Sequence, residues 1–220
     1  FNFLFVQGLL IRLFAYKDTS QRRYLIIVPL LGAVWANVHM GSFIYGLTLI
    51  GIFILAEIKN CLTEKGSLAA RTDFRNLFLS LTLFFAAFAI SPYGLRNLLY
   101  PIMVFLFPDF IGFYRTTALT DESQAPLGVF LFDQSYVPFY VLFVLNVAAV
   151  FFSKKKDFVL TLLLIFSFFM FLYMNRNYPF FIIVASYALL RWAQLNGFKE
   201  LWLRWTAGKW LEIVLLTAMA

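Results

Sequence analysis

One cysteine and one histidine occur in 220 residues. Cys61 alone cannot close an internal disulfide and cannot build a multi-cysteine metal site. His39 alone argues against a haem or zinc centre made of histidines. Charge is scarce as well: Asp, Glu, Lys and Arg make up 13% of the chain, against about 25% in an average soluble domain. No segment shows the roughly ten-residue alternation of barrel strands, and no internal repeat or low-complexity linker divides the chain, so it reads as one domain.

What fills the chain instead is apolar. Hydrophobic residues reach 62% and mean hydropathy is +0.82. A water-soluble fold of this length leaves too much surface exposed to hide so much Phe, Leu and Ile. Lipid is the solvent that fits, and helices are the default because a bilayer offers no partner to an open sheet edge. The expected fold class is therefore all-α, a polytopic transmembrane helix bundle of about eight spans.

Apolar runs fall at about 1–16, 24–37, 41–57, 76–91, 136–152, 158–174, 178–195 and 210–220. Each approaches the length that crosses about 30 Å of hydrocarbon at 1.5 Å per residue. Phe1 opens inside one run and Ala220 closes inside another, so residues 1–220 are expected to be a fragment of a longer chain. The segment 95–108 is apolar but too short to cross, interrupted at Pro101 and ending at Pro108. It is expected to lie as an interfacial helix in an outer loop, with Arg96 and Tyr100 toward headgroups.

Residues 24–57 form either one long kinked helix or two spans that turn near 35–39. Basic residues concentrate in cytoplasmic loops, which arbitrates between the two. Two spans put fifteen of the eighteen Lys and Arg residues on one side, leaving only Arg96, Arg115 and Arg176 on the other. One span divides them eleven to seven and nearly erases the bias. With two spans, loops 17–23, 58–75, 153–157 and 196–209 face the cytoplasm. Residues 35–42, 91–135 and 174–179 face the other side. The net charge of +7 then reports membrane orientation, and no nucleic-acid partner is implied. The first span of the pair is short, which would leave Asn37 and His39 at membrane depth in a cavity open to the outer side.

Three polar motifs face that side. In WANVHMGSF (35–43), Asn37 and His39 would diverge on a continuous helix but can converge in a turn. There they could hold a phosphate or a sugar hydroxyl; equally, they could cap helix ends. In SPYG (91–94), Pro92 and Gly94 suffice to make a tight turn, and the same turn would set Tyr93 and Arg96 at a cavity mouth. In NRNYP (175–179), Arg176 suits phosphate through bidentate bonds, or snorkels to the interface. Asp109, Asp121, Glu122 and Asp133 in the long outer segment could supply a base or hold a divalent metal ion, or simply be solvated loop charges.

Taken together, PLLGAVWANVHMGSFIYGL (29–47), SPYGLRNLLYP (91–101) and RNYPFFIIVASYAL (176–189) resemble, in order and spacing, bacterial multi-pass membrane proteins of the GT-C glycosyltransferase superfamily. The resemblance spans most of residues 24–190. It implies an inner-membrane enzyme whose extracytoplasmic site takes a sugar from a polyprenyl-phosphate carrier. By position, Asn37, His39, Tyr93, Arg96 and Arg176 would bind substrate. This chain departs from the pattern at Met40 and Ser91, where Gly and Asn are usual. It also has no acid in IGFYR (111–115), where an acidic-aromatic pair is common. The family's catalytic acid belongs to a first outer loop and is expected before Phe1. The alternative is a non-catalytic integral membrane subunit or scaffold with membrane-protein partners.

Overall fold

The computed structural model describes residues 2–38, 43–64, 71–90, 136–153, 155–173 and 177–196. Those residues contain seven helices and no strands: α1 (Asn2–Thr19), α2 (Arg23–Val38), α3 (Phe43–Thr63), α4 (Thr72–Ala89), α5 (Val137–Phe152), α6 (Phe158–Tyr173) and α7 (Tyr178–Leu195). The expected interfacial helix at 95–108 and the run at 210–220 lie outside the described residues.

The remaining seven apolar runs each carry one helix, but the ends differ. α1 continues through Lys17–Thr19, α3 passes Glu57 to reach Thr63, and α4 starts at Thr72 rather than near 76. Polar side chains within these extra turns bond back to the helix: Thr19 Oγ1 donates to the Ala15 carbonyl at 2.7 Å, and Thr63 Oγ1 to that of Lys59 at 2.9 Å. Hydropathy marks where side chains leave water for an apolar medium, whereas a helix ends where its backbone bonds find another cap. α1 stops at Ser20, which adopts a left-handed φ of 53° and donates its N–H to the Tyr16 carbonyl at 2.7 Å. That is the αL termination usually made by glycine. Asp157 starts α6 by accepting from the N–H groups of Val159 (2.9 Å) and Leu160 (3.3 Å). Pro138 and Pro179 stand in the first turns of α5 and α7, where a missing N–H costs nothing.

Three polar residues inside the helices return their donors to their own backbone. Thr48 donates to Ile44 O, Thr82 to Phe78 O and Asn146 to Leu142 O, at 2.8–3.0 Å. This local pairing lets a hydroxyl or amide sit on an apolar helix without a distant partner.

The helices alternate in direction. α4 packs most extensively on α2 and also on α3, α1 lies against α2 and α3, and α5 and α6 both rest on α7. The main core joins Leu9, Leu10, Leu13, Phe14, Trp35, Phe84 and Trp192, all at most 2% exposed. A second cluster of Tyr136, Phe139, Phe171, Phe181 and Ala185 holds α5 against α6 and α7. Two stretches, Ile44–Thr63 and Tyr178–Leu195, are long and apolar enough to cross a membrane, and three shorter helices are apolar too. Large apolar side chains also point outward, among them Ile26 (72% exposed), Leu30 (64%) and Phe152 (85%).

The fate of residues 24–57 is decided by one ring. A Cβ added at Gly32 would lie 2.7 Å from Phe84 Cδ2, and one added at Gly46 would meet Phe84 Cζ more closely still. On a single rod these glycines would stand about 21 Å apart. One phenyl ring touches both, so α2 and α3 are separate helices rather than one rod.

Candidate functional site

Every charged side chain among the described residues lies at or near one end of the bundle, with Arg12 the furthest in. The C-termini of α1, α3, α5 and α7 meet there with the N-termini of α2, α4 and α6. Tyr16 Oη donates to Asp73 Oδ1 at 2.6 Å and accepts from Asn76 Nδ2 at 2.9 Å, joining α1 to α4. Lys17 reaches Asp157 at 2.5 Å and Arg191 reaches Asp18 at 2.6 Å, which ties α1 to the start of α6 and the end of α7. Arg71 pairs with Glu64 and lies 3.6 Å from Glu57. A cleft of about 60 Å³ opens here beside Tyr16, Glu57, Asn60 and Asp73. It has room for a few waters. No group of three His, Cys, Asp or Glu side chains suited to a metal ion occurs among the described residues.

The opposite end is uncharged among the described residues, and its contacts are those of neutral side chains. Phe84 lies near the C-terminus of α4 and packs edge-on to Trp35 near the C-terminus of α2 (centroids 6.3 Å, 85°). The same ring fills the space over Gly46 near the N-terminus of α3. Tyr45 donates its hydroxyl to Asn177 Oδ1 and stacks on Phe180 at 4.5 Å. Asn177 is 2% exposed, and its Nδ2 donates to the Met170 carbonyl at 2.6 Å, one of the carbonyls that the end of α6 leaves free. Tyr136 meets Tyr178 edge-on at 5.4 Å and thereby brings in the N-terminus of α5.

The helix ends that flank all three polar motifs therefore gather at the uncharged end: Val38 and Phe43 around 39–42, Ile90 before SPYG, and Tyr173 and Asn177 around 174–176. Of the expected substrate-binding residues, only Asn37 is described. It belongs to the last turn of α2 rather than to the connecting turn, because the helix continues to Val38. Its side chain is exposed, and its amide donates to the Ala33 carbonyl at 2.7 Å. His39, Tyr93, Arg96 and Arg176 lie outside the described residues, as do Arg115, Asp109, Asp121, Glu122 and Asp133.

Two side chains carry more than the sequence reading assigned them. Asn177 entered only as a neighbour of Arg176, yet it is the buried tie between α3 and α6. Asn146 was passed over inside an apolar run, though a lone amide there is the signal that marks it. It is 2% exposed, and besides Leu142 its Nδ2 donates to the Ala185 carbonyl of α7 at 3.1 Å. No family model, curated protein or solved structure matches this chain.

Proposed function

We propose that this chain is a multi-pass membrane bundle of the GT-C glycosyltransferase kind, seated in a bacterial inner membrane. It transfers a sugar from a polyprenyl-phosphate carrier on the extracytoplasmic side. The observation that carries the reading is the separation of the two bundle ends. The helix ends flanking WANVHMGS, SPYG and NRN meet at the uncharged end, as a shared pocket requires, while the described charges gather at the other. Asymmetry of this sign is what the positive-inside rule produces, and the outward-facing Ile, Leu and Phe side chains suit contact with lipid. Eight spans, the interfacial helix and the partnership with lipid belong to the same proposal.

The chemistry is a single displacement at the anomeric carbon. The bond to the carrier phosphate breaks as the acceptor oxygen bonds to the sugar. Arg176 stabilises the charge that grows on the departing phosphate, and Asn37, His39, Tyr93 and Arg96 line the cavity. A carboxylate beyond these residues takes the acceptor proton. In proteoliposomes supplied with a radiolabelled polyprenyl-phosphate sugar, Arg176→Ala and His39→Ala should each reduce transfer by about 10²-fold or more. Helix content should be unchanged. Full activity in both variants removes these residues from the mechanism.

Topology has its own test. In a Cys61→Ser background, a cysteine introduced by Asn37→Cys should react with an impermeant maleimide from outside, and one introduced by Lys155→Cys only after permeabilisation. Labelling of both from the same side ends the multi-pass reading. The alternative, a non-catalytic membrane subunit, is favoured by Asn37, whose amide already serves its own helix at Ala33. Absence of transfer by the unaltered chain, with the topology as described, selects it.

A further inference from the structure

α5 and α6 both pack on α7, but their backbones hardly approach each other. Toward the uncharged end the gap between them is closed by aromatic rings, with Phe139 on Phe171 at 4.4 Å and Phe143 on Phe168 at 4.9 Å. Toward the charged end it opens into a groove of about 360 Å³, lined by Val147, Phe151, Leu164, Ile165 and Phe169 and floored by Phe181 of α7. The lining is almost wholly apolar, with one exception. Asn146 borders the groove, and its Oδ1 is buried without any hydrogen-bond partner.

The direction of that amide is fixed by its other half. Nδ2 is committed to the carbonyls of Leu142 and Ala185, so the oxygen is the acceptor left over. An unpaired buried acceptor is costly, and a donor that reached it would recover the difference. Just beyond the end of α5, Lys156 Nζ donates to the carbonyls of Val150 and Phe151, which line the groove one turn along from Asn146, the latter at 3.0 Å. Lys155 beside it is exposed. The site thus offers, in order, a cationic mouth, an acceptor about 6 Å deeper along the helix, and an apolar slot. The volume is at the low end for small-molecule sites, which suits one hydrocarbon chain and not two.

We propose that this groove binds a single-chain anionic phospholipid carrying a free glycerol hydroxyl. The phosphate sits at Lys155 and Lys156, the hydroxyl donates to Asn146 Oδ1, and the chain lies between α5 and α6. A hydroxyl on the carbon next to the phosphate ester spans the one-turn offset. The site rests on the membrane reading but not on glycosyl transfer, since it lies at the opposite end of the bundle from the sugar-transfer motifs.

The experiment uses the full chain in nanodiscs and a lysophosphatidic acid with a photoactivatable group in its chain, followed by peptide mapping. Labels should fall within 143–151 and 161–169. Unmodified lysophosphatidic acid should compete roughly five- to tenfold better than its O-methyl ether, the worth of one hydrogen bond. Asn146→Leu should abolish that preference, and Val147→Trp, which fills the slot, should abolish the labelling. Equal competition by hydroxyl and ether on the unaltered chain overturns the proposal without any variant. So does undiminished labelling of Val147→Trp, labelling confined to other helices, or a cross-link from this groove to a second copy of the chain.

Discussion

At the charged end, ion pairs such as Lys17–Asp157 and Asp18–Arg191 reach between helix termini whose side chains remain partly open to solvent. At the uncharged end, the ties are a ring pressed over two glycines and a hydrogen bond from Tyr45 to the buried Asn177. Exposed ion pairs contribute little and weaken with salt, whereas a close-packed ring or a fully buried amide loses most of its worth when either partner changes. The comparison teaches that the end of the bundle beside the three polar motifs is the more rigidly specified one, although it carries no charge among the described residues.

Four substitutions would break or sharpen that contrast. Phe84→Ala should have the largest effect, about 3–5 kcal/mol by analogy with other buried Phe truncations. The cavity it leaves opens between α2, α3 and α4. Thermal unfolding in detergent, followed by circular dichroism, measures it, and a loss below about 1 kcal/mol would show that the ring is not the wedge between Gly32 and Gly46. Asn177→Leu should come next, at about 1–3 kcal/mol, because the Met170 carbonyl and the Tyr45 hydroxyl both lose their bond to the buried Asn177 amide. Tyr45→Phe combined with Asn177→Leu should cost less than the two single changes added together, since neighbours that share one bond are not additive. Strict additivity in that cycle would contradict the pairing.

The smallest effect belongs to the charged end. Arg191→Gln should cost at most about 1 kcal/mol, with its Asp18 partner nearly half exposed, and most of that cost should vanish in high salt. A salt-independent loss of several kcal/mol would reverse the ranking and make the ion pairs the main fastening of the bundle.

Much of the helix inventory was legible in the composition of each stretch. Seven apolar runs carry seven helices, and the excess of Lys and Arg in alternate loops anticipated the gathering of charge at one end. Helix termini were less legible: Lys17, Lys59 and Thr72 are polar yet helical, because a backbone ladder continues until a cap takes over its last groups, whatever the hydropathy of the side chains it carries. Asn37 shows the same limit. Its type suited a turn, yet α2 runs one residue beyond it and uses its amide internally. The motifs gave Asn177 no role of its own, since nothing in NRNYP says that Tyr45, 132 residues earlier, supplies its hydroxyl.

Sequence by itself determined that the described residues are helical, that their helices are apolar and that their charge gathers at one end, because each of these follows from the solvation preference of residues taken a few at a time. Only the tertiary structure decided that one phenyl ring separates α2 from α3, that Asn177 ties α6 to α3, and that α5 and α6 part to leave Asn146 with an unanswered oxygen. Those outcomes depend on the shapes of surfaces brought together from distant parts of the chain, and a local property such as hydropathy carries no record of which surfaces will meet.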